Sequence, residues 1–162
     1  MLSSIILNLA SLGLLSCLGT AAAALQSGVL FQANITTGQQ TSFGPGPKGT
    51  RLSIPILGGT LTGSKLSARP GEVLSIGADW GLFDSKGTFN VDAYYQIRTN
   101  DGVDIFAHSQ GPSQPDGRIL THITLETGND EYYWVNNIAI AGITTVGNGF
   151  IVIEAYQLTP DA

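Results

Sequence analysis

No stretch after residue 28 keeps its apolar residues in phase for a helix of useful length. Turn signals cut the chain at short intervals instead: "GPGPKG", "GG", "SARPGE", "DSKG", "NDG", "GPSQPDG", "TGND" and "GNG". Gly, Pro, Asn and Asp in such clusters end regular elements, because they supply the backbone angles that turns demand. The bursts between them are rich in Val, Ile, Thr and aromatic residues, which fit a pleated, half-buried surface. Strands are expected at 29–36, 50–57, 59–66, 72–78, 87–99, 102–108, 118–126, 132–142 and 149–158. The connections are too short for crossover helices, so the strands should pair antiparallel. A barrel, closed or nearly so, or a sandwich follows.

The segment 87–99 carries the clearest period-two pattern. Phe89, Val91, Ala93, Tyr95 and Ile97 fall on one face, and Asn90, Asp92, Tyr94, Gln96 and Arg98 on the other. "TNDG" then predicts a tight turn into "VDIFAHS". In 118–126, Arg118, Leu120, His122, Thr124 and Glu126 alternate with Ile119, Thr121, Ile123 and Leu125. In 132–142, Tyr132, Trp134, Asn136, Ile138 and Ile140 would share a face, a pattern that suits a pocket lining or a plain core with one satisfied amide.

The chain has 162 residues, enough for one domain with a real core at 43% apolar content. Its net charge of −5, with no basic run, argues against nucleic acid as a partner. Residues 1–25, "MLSSIILNLASLGLLSCLGTAAAAL", hold no charged side chain and end in small residues. They read as a secretory signal peptide, with cleavage within "GTAAAALQ". A membrane anchor is the rival, although Ser, Asn and Gly dilute the run and no basic flank orients it. The expected organisation is a signal peptide at 1–25 and one β-barrel domain at 26–162, secreted or in the secretory pathway. No membrane association is expected after signal removal. The single cysteine, Cys17, lies in the leader, so the mature domain would hold no disulfide and no thiolate site. "NIT" at Asn34–Thr36 is an N-glycosylation sequon that would modify Asn34.

Motifs for metals, phosphates and covalent nucleophiles are missing. His108 and His122 are the only histidines and stand outside ligand spacing. There is no G-x-S-x-G elbow and no Gly-rich loop before a helix. Neither cofactor nor metal is expected. Acids and aromatics remain: Asp79, Trp80, Tyr95, Glu126, Tyr133, Trp134 and Asn136, with Arg51 and Arg98 as charge partners. In "SIGADWGLFD", Asp79 stands among apolar and turn residues. An acid enclosed by apolar walls has a raised pKa and can donate a proton near neutral pH. The bland reading is that Asp79 caps a turn or pairs with an arginine.

Five pieces in order, "GTRLSIPILGGTLTG", "GADW", "DAYYQIRTNDG", "LETG" and "YYWVNNIAIAG", resemble the DUF3237 family, also called UPF0311. The resemblance spans roughly residues 28–158. It implies a compact barrel similar in outline to the allene oxide cyclase, dirigent and calycin barrels. Fungal members are associated with intramolecular hydroalkoxylation, the closure of a cyclic ether by adding a hydroxyl across an alkene. Arg51, Asp79, Trp80, Tyr95, Arg98, Thr99, Asp101, Glu126, Trp134 and Asn136 fall on the family pattern. Tyr94 stands where the family usually has Arg. "RILTHITLE" replaces a segment that usually carries an aromatic, an Arg and a Pro, which places His122 in a variable wall.

The resulting expectation is a cofactor-free cyclase or isomerase acting on a small apolar or aromatic natural product. Asp79 or Glu126 would donate the proton and Trp80 or Trp134 would shield the cation. Tyr95 and Asn136 would orient the attacking hydroxyl, and Arg51, Arg98 and His122 would complete the substrate site. A secreted, lipocalin-like binding protein is the alternative, and a filled structural barrel a third. Self-association is left open.

Overall fold

The structure, a computed structural model, describes residues 24–63, 65–66 and 70–161. The expected leader and Cys17 lie outside the described residues, apart from the leader's last two positions. Among the described residues, ten strands form one sheet: β1 (Leu25–Thr37), β2 (Thr41–Gly46), β3 (Gly49–Thr62), β4 (Gly71–Asp79), β5 (Leu82–Phe83), β6 (Phe89–Arg98), β7 (Asp104–Pro112), β8 (Ile119–Glu126), β9 (Ala139–Val146) and β10 (Phe150–Pro160). All the pairings are antiparallel, in the circular order β1-β10-β9-β8-β7-β6-β4-β3. β3 returns to β1, with Ala33 opposite Leu61, and so closes an eight-stranded barrel. β2 is a hairpin arm on β3, and β5 bridges β3 and β6. The β1–β3 pairing covers edges that would otherwise be free in the barrel wall.

The alternation in 87–99 is realised in β6. Val91, Ala93, Tyr95 and Ile97 are buried inside, while Asp92, Tyr94, Gln96 and Arg98 face outward. β8 follows the same rule, with Ile119, Thr121, Ile123 and Leu125 inside. The segments expected as 50–57 and 59–66 are one strand, β3, bent at Gly58 (φ 109°). Gly59 lies so close to β1 that a Cβ would stand 2.1 Å from the Asn34 carbonyl oxygen.

One strand expectation fails. Residues 132–142 are not one strand: Tyr133–Asn137 form a short 3-10 helix, and β9 starts only at Ala139. Asn136 sets this turn. Its amide accepts from the Thr127 backbone N–H at 2.9 Å and donates to the carbonyls of Thr127 (2.9 Å) and Tyr133 (3.0 Å). An amide that satisfies the backbone locally competes with a ladder. The turn drives Val135 into the core, flanked by Tyr132, Trp134 and Ile138. Leu30, Leu61, Ile97, Ile105 and Leu125 fill the interior at this end, and the other end stays open.

Candidate functional site

The open end holds a cavity of about 510 Å3. Its walls are mainly apolar: Ile35 from β1, Ile54 and Ile56 from β3, Val91 and Ala93 from β6, Ile119 from β8, and Ile151 and Ile153 from β10. Gln39, Gln40 and the β9–β10 turn at Gly147–Gly149 ring the mouth, with exposed Val146 and Phe150. Asp79 and Tyr95 are its ionisable lining residues, and no Lys, Arg or His is among them.

Asp79 ends β4, where it faces Ala93 of β6 and Ile54 of β3. An irregularity in β4 precedes it. Between Val73 and Gly77, β4 advances further than its partner β6. The extra residues loop outward, leaving Ser75 and Ile76 exposed. Gly77 recovers the ladder at φ 117°, a region that costs other residues strain, and a Cβ there would lie 2.1 Å from the Tyr94 carbonyl oxygen. Beyond it Ala78 points out, Asp79 in and Trp80 out.

Burial is the main reason that the Asp79 carboxyl is pushed up to about 6. The Asp92 N–H, donating to Oδ1 at 2.9 Å, opposes this. The negative Asp92 side chain adds to the rise and the Arg51 guanidinium reduces it. Phe89 lines the cavity beside the acid: a Cβ on Gly81 would touch the Phe89 ring at 2.3 Å and Asp79 Oδ2 at 3.3 Å. Tyr95 lies two residues beyond Ala93 on β6, deep in the cavity, with its hydroxyl 3.0 Å from Ser109 Oγ. Burial pushes its phenol up to about 12, so it stays protonated.

The other residues singled out from the sequence do not reach this cavity. Trp80 is 43% exposed and stacks on Phe43 outside the barrel. Arg51 donates to the Trp80 carbonyl oxygen and lines a shallow outer groove with Asn90, Asp92 and Gln110. Arg98 pairs with Asp104 at 2.7 Å and Glu72 at 3.7 Å. His122 is exposed on the outer face of β8. Glu126 and Asn136 border a second, open groove with Phe106 and Tyr133, and Trp134 packs against the closed end. Their strands alternate, and these positions took the outward phase or the turn. Asn34 is exposed on the outside of β1. Phe89, Ser109 and Thr144 were missed as lining residues, although the inward phase of β6 already pointed to Phe89. Among the described residues no cluster of His, Cys, Asp or Glu is arranged to hold a metal ion.

These features define a closed antiparallel barrel with a solvent-open, acid-bearing apolar cavity. The model of the family described as "Protein of unknown function (DUF3237)" matches residues 26–117, over half the chain, and the chain belongs to that family. A UPF0311 protein of Rhodopseudomonas palustris is 26% identical over 151 residues, covering 83% of this chain and 97% of the relative. The hydroalkoxylation enzyme phnH of Penicillium herquei is 26% identical over 129 residues, covering 80% of each. Among solved structures, a conserved Rhodopseudomonas palustris protein superposes with a TM-score of 0.77 at 25% identity, over 84% of this chain and 99% of that one. An enzyme from Penicillium herquei shares the fold with a TM-score of 0.71 at 23% identity, over 88% and 100%.

Proposed function

We propose that this protein is a cofactor-free cyclase that closes cyclic ethers by intramolecular hydroalkoxylation within the barrel cavity. The observation that carries the reading is Asp79: a carboxyl held in an apolar cavity, raised to about 6, beside an aromatic ring. The similarity to a hydroalkoxylation enzyme supports the same chemistry. The Asp79 carboxyl gives its proton to one alkene carbon, and the more substituted carbon becomes cationic. The Phe89 ring, which lines the same cavity, would stabilise that charge. The substrate's own hydroxyl oxygen attacks the cation, forming the C–O bond, and the oxonium proton returns to the Asp79 carboxylate. Atoms balance as an isomerisation, with no co-reactant. Tyr95, protonated throughout, orients the hydroxyl by hydrogen bonding. The mainly apolar lining leaves few competing nucleophiles, and barrel preorganisation supplies the rate. Glu126 and the tryptophans have no part in this scheme, because they face other surfaces.

The test is incubation with prenylated and alkenyl phenols, followed by chiral chromatography. Wild type should give one enantiomer of the cyclic ether. Asp79→Asn should lose two to four orders of magnitude in turnover, about what a positioned proton donor contributes. Binding without turnover in the wild type would assign the cavity to ligand carriage instead.

A further inference from the structure

The polar side chains inside the barrel are not scattered. Thr99, Ser109, Thr121 and Thr144 are the buried polar residues among those described. Thr99 belongs to the β6–β7 turn, where its hydroxyl bonds Asp101 and the Val103 backbone. The other three, with Tyr95, form one diagonal line across the inner face of β6–β9. Tyr95 faces Ala107, two residues before Ser109. Ser109 faces Ile123, two residues after Thr121. Thr121 faces Gly142, two residues before Thr144. Same-face diagonal neighbours stand about 7–8 Å apart, so four hydroxyls descend the wall as a stripe. Ser109 also shares a cross-strand row with Asp79, separated only by the small Ala93. The stripe therefore runs beside the acid, two strands away at its nearest point.

The hydroxyls are under-used. Tyr95 and Ser109 share one hydrogen bond, which consumes one of their two protons and leaves one to donate. Thr121 Oγ1 is buried with no hydrogen-bond partner among the described residues. Ser109, Ile119 and Thr144 around it line the cavity, whereas Thr121 sits behind that lining with Oγ1 packed against Gly142 of β9. Buried polar groups left unpaired are costly and uncommon. No cation lines the cavity to pair with a carboxylate or phosphate, so an anionic ligand would be desolvated without compensation.

We propose that the three cavity-lining members of the stripe, Tyr95, Ser109 and Thr144, form a recognition subsite for a neutral ligand with several oxygen substituents along one edge. The hydroxyls read those oxygens in series, and the bare edge of the ligand lies against the isoleucine wall. The inference rests on the cavity being the substrate site, and it sets which alkenyl substrates are accepted there.

The probes are 4-prenylpyrogallol, with three adjacent ring hydroxyls along one edge, and prenylbenzene, with none. Affinity for each is measured by titration calorimetry on the purified protein and on Tyr95→Phe, Ser109→Ala, Thr144→Val and Thr121→Val. Wild type should prefer the oxygenated probe at least about tenfold, and each of the three lining variants should cut that preference about 2- to 10-fold while binding prenylbenzene as before. Thr121→Val is the control. It removes an unpaired buried hydroxyl behind the lining, so the Tm of the free protein should hold or rise and the preference should stay. A preference unchanged in all three lining variants, or one that falls as far in Thr121→Val, overturns the proposal. Cyclisation of 4-prenylpyrogallol is scored separately. Binding that depends on Ser109 and Thr144 without cyclisation upholds the subsite and sinks the cyclase reading, whereas cyclisation with a preference indifferent to both does the reverse.

Discussion

The backbone N–H of Asp92 donates to Oδ1 of Asp79 at 2.9 Å, although the two side chains lie on opposite faces of the barrel wall. Asp79 looks into the cavity. Asp92 looks outward and meets His108, its Oδ1 2.8 Å from Nε2. The ring of His108 is itself stacked on Tyr94. One backbone bond thus fixes the orientation of the internal acid, and a charge outside the wall sets part of its proton affinity.

That arrangement predicts opposite pH effects from two surface changes. Asp92→Asn removes a negative charge that raises the Asp79 value, so the alkaline limb of the turnover–pH profile should move to lower pH. Arg51→Met removes a positive charge that lowers it, so the limb should move to higher pH. The acid is the active form, so wild-type turnover should fall as pH rises through about 6. Limbs shifted in the same direction by both variants would contradict the scheme.

Gly77→Ala should damage the fold before it damages the chemistry. The residue needs φ 117°, and a Cβ there would stand 2.1 Å from a carbonyl oxygen of the neighbouring strand. A loss on the order of 2–4 kcal/mol is expected, read as a large drop in Tm. Gly87→Ala is the control. It also has positive φ (84°), but open space where the Cβ would lie, so strain without collision should cost about 1 kcal/mol.

The barrel was legible in the sequence because two-residue alternation is a local property, and a half-buried sheet cannot form without it. β6 and β8 carry it cleanly. What the sequence hid was set by distant contacts. Asn136 reads as a strand amide until the Thr127 backbone is seen within its reach, and it makes a turn instead. Asp79 and Trp80 are adjacent in sequence yet face opposite ways, as strand geometry requires. The outward loop before Gly77 adds residues without changing that parity. The hydroxyl stripe could not be read at all, because its members come from four strands and share a line only once the register is known.

Glu126→Gln should leave turnover within about twofold of wild type, measured alongside Asp79→Asn under the same conditions. Glu126 faces Phe106 on the outer surface and is exposed. A carboxylate there has no path to an alkene held inside the barrel. A collapse of activity in Glu126→Gln with Asp79→Asn active would move the reaction to the outer groove.

Asp79→Asn should also change stability, in the direction opposite to activity. The folded Asp79 value of about 6 lies above the ordinary 3.8 that holds in the unfolded chain. The folded state therefore binds this proton more tightly than the unfolded state. Stability from that preference is complete below about pH 4 and is lost as pH rises through 6. Above that, the protein carries a desolvated carboxylate whose cost is on the order of 2–3 kcal/mol. Asparagine keeps an oxygen that accepts the Asp92 N–H and has no charge to bury. At pH 8 the variant should therefore melt several degrees above wild type, while at pH 4 the two should nearly coincide. The surface carboxylates Asp84, Asp101, Asp104 and Asp116, all held below their usual range, weaken the fold in acid in both proteins and cancel in the difference. Thermal melts of the pair across pH 4–8 give the result directly. A gap that stays constant with pH would mean that Asp79 is not held near 6, and the acid of the proposed reaction would be lost with it.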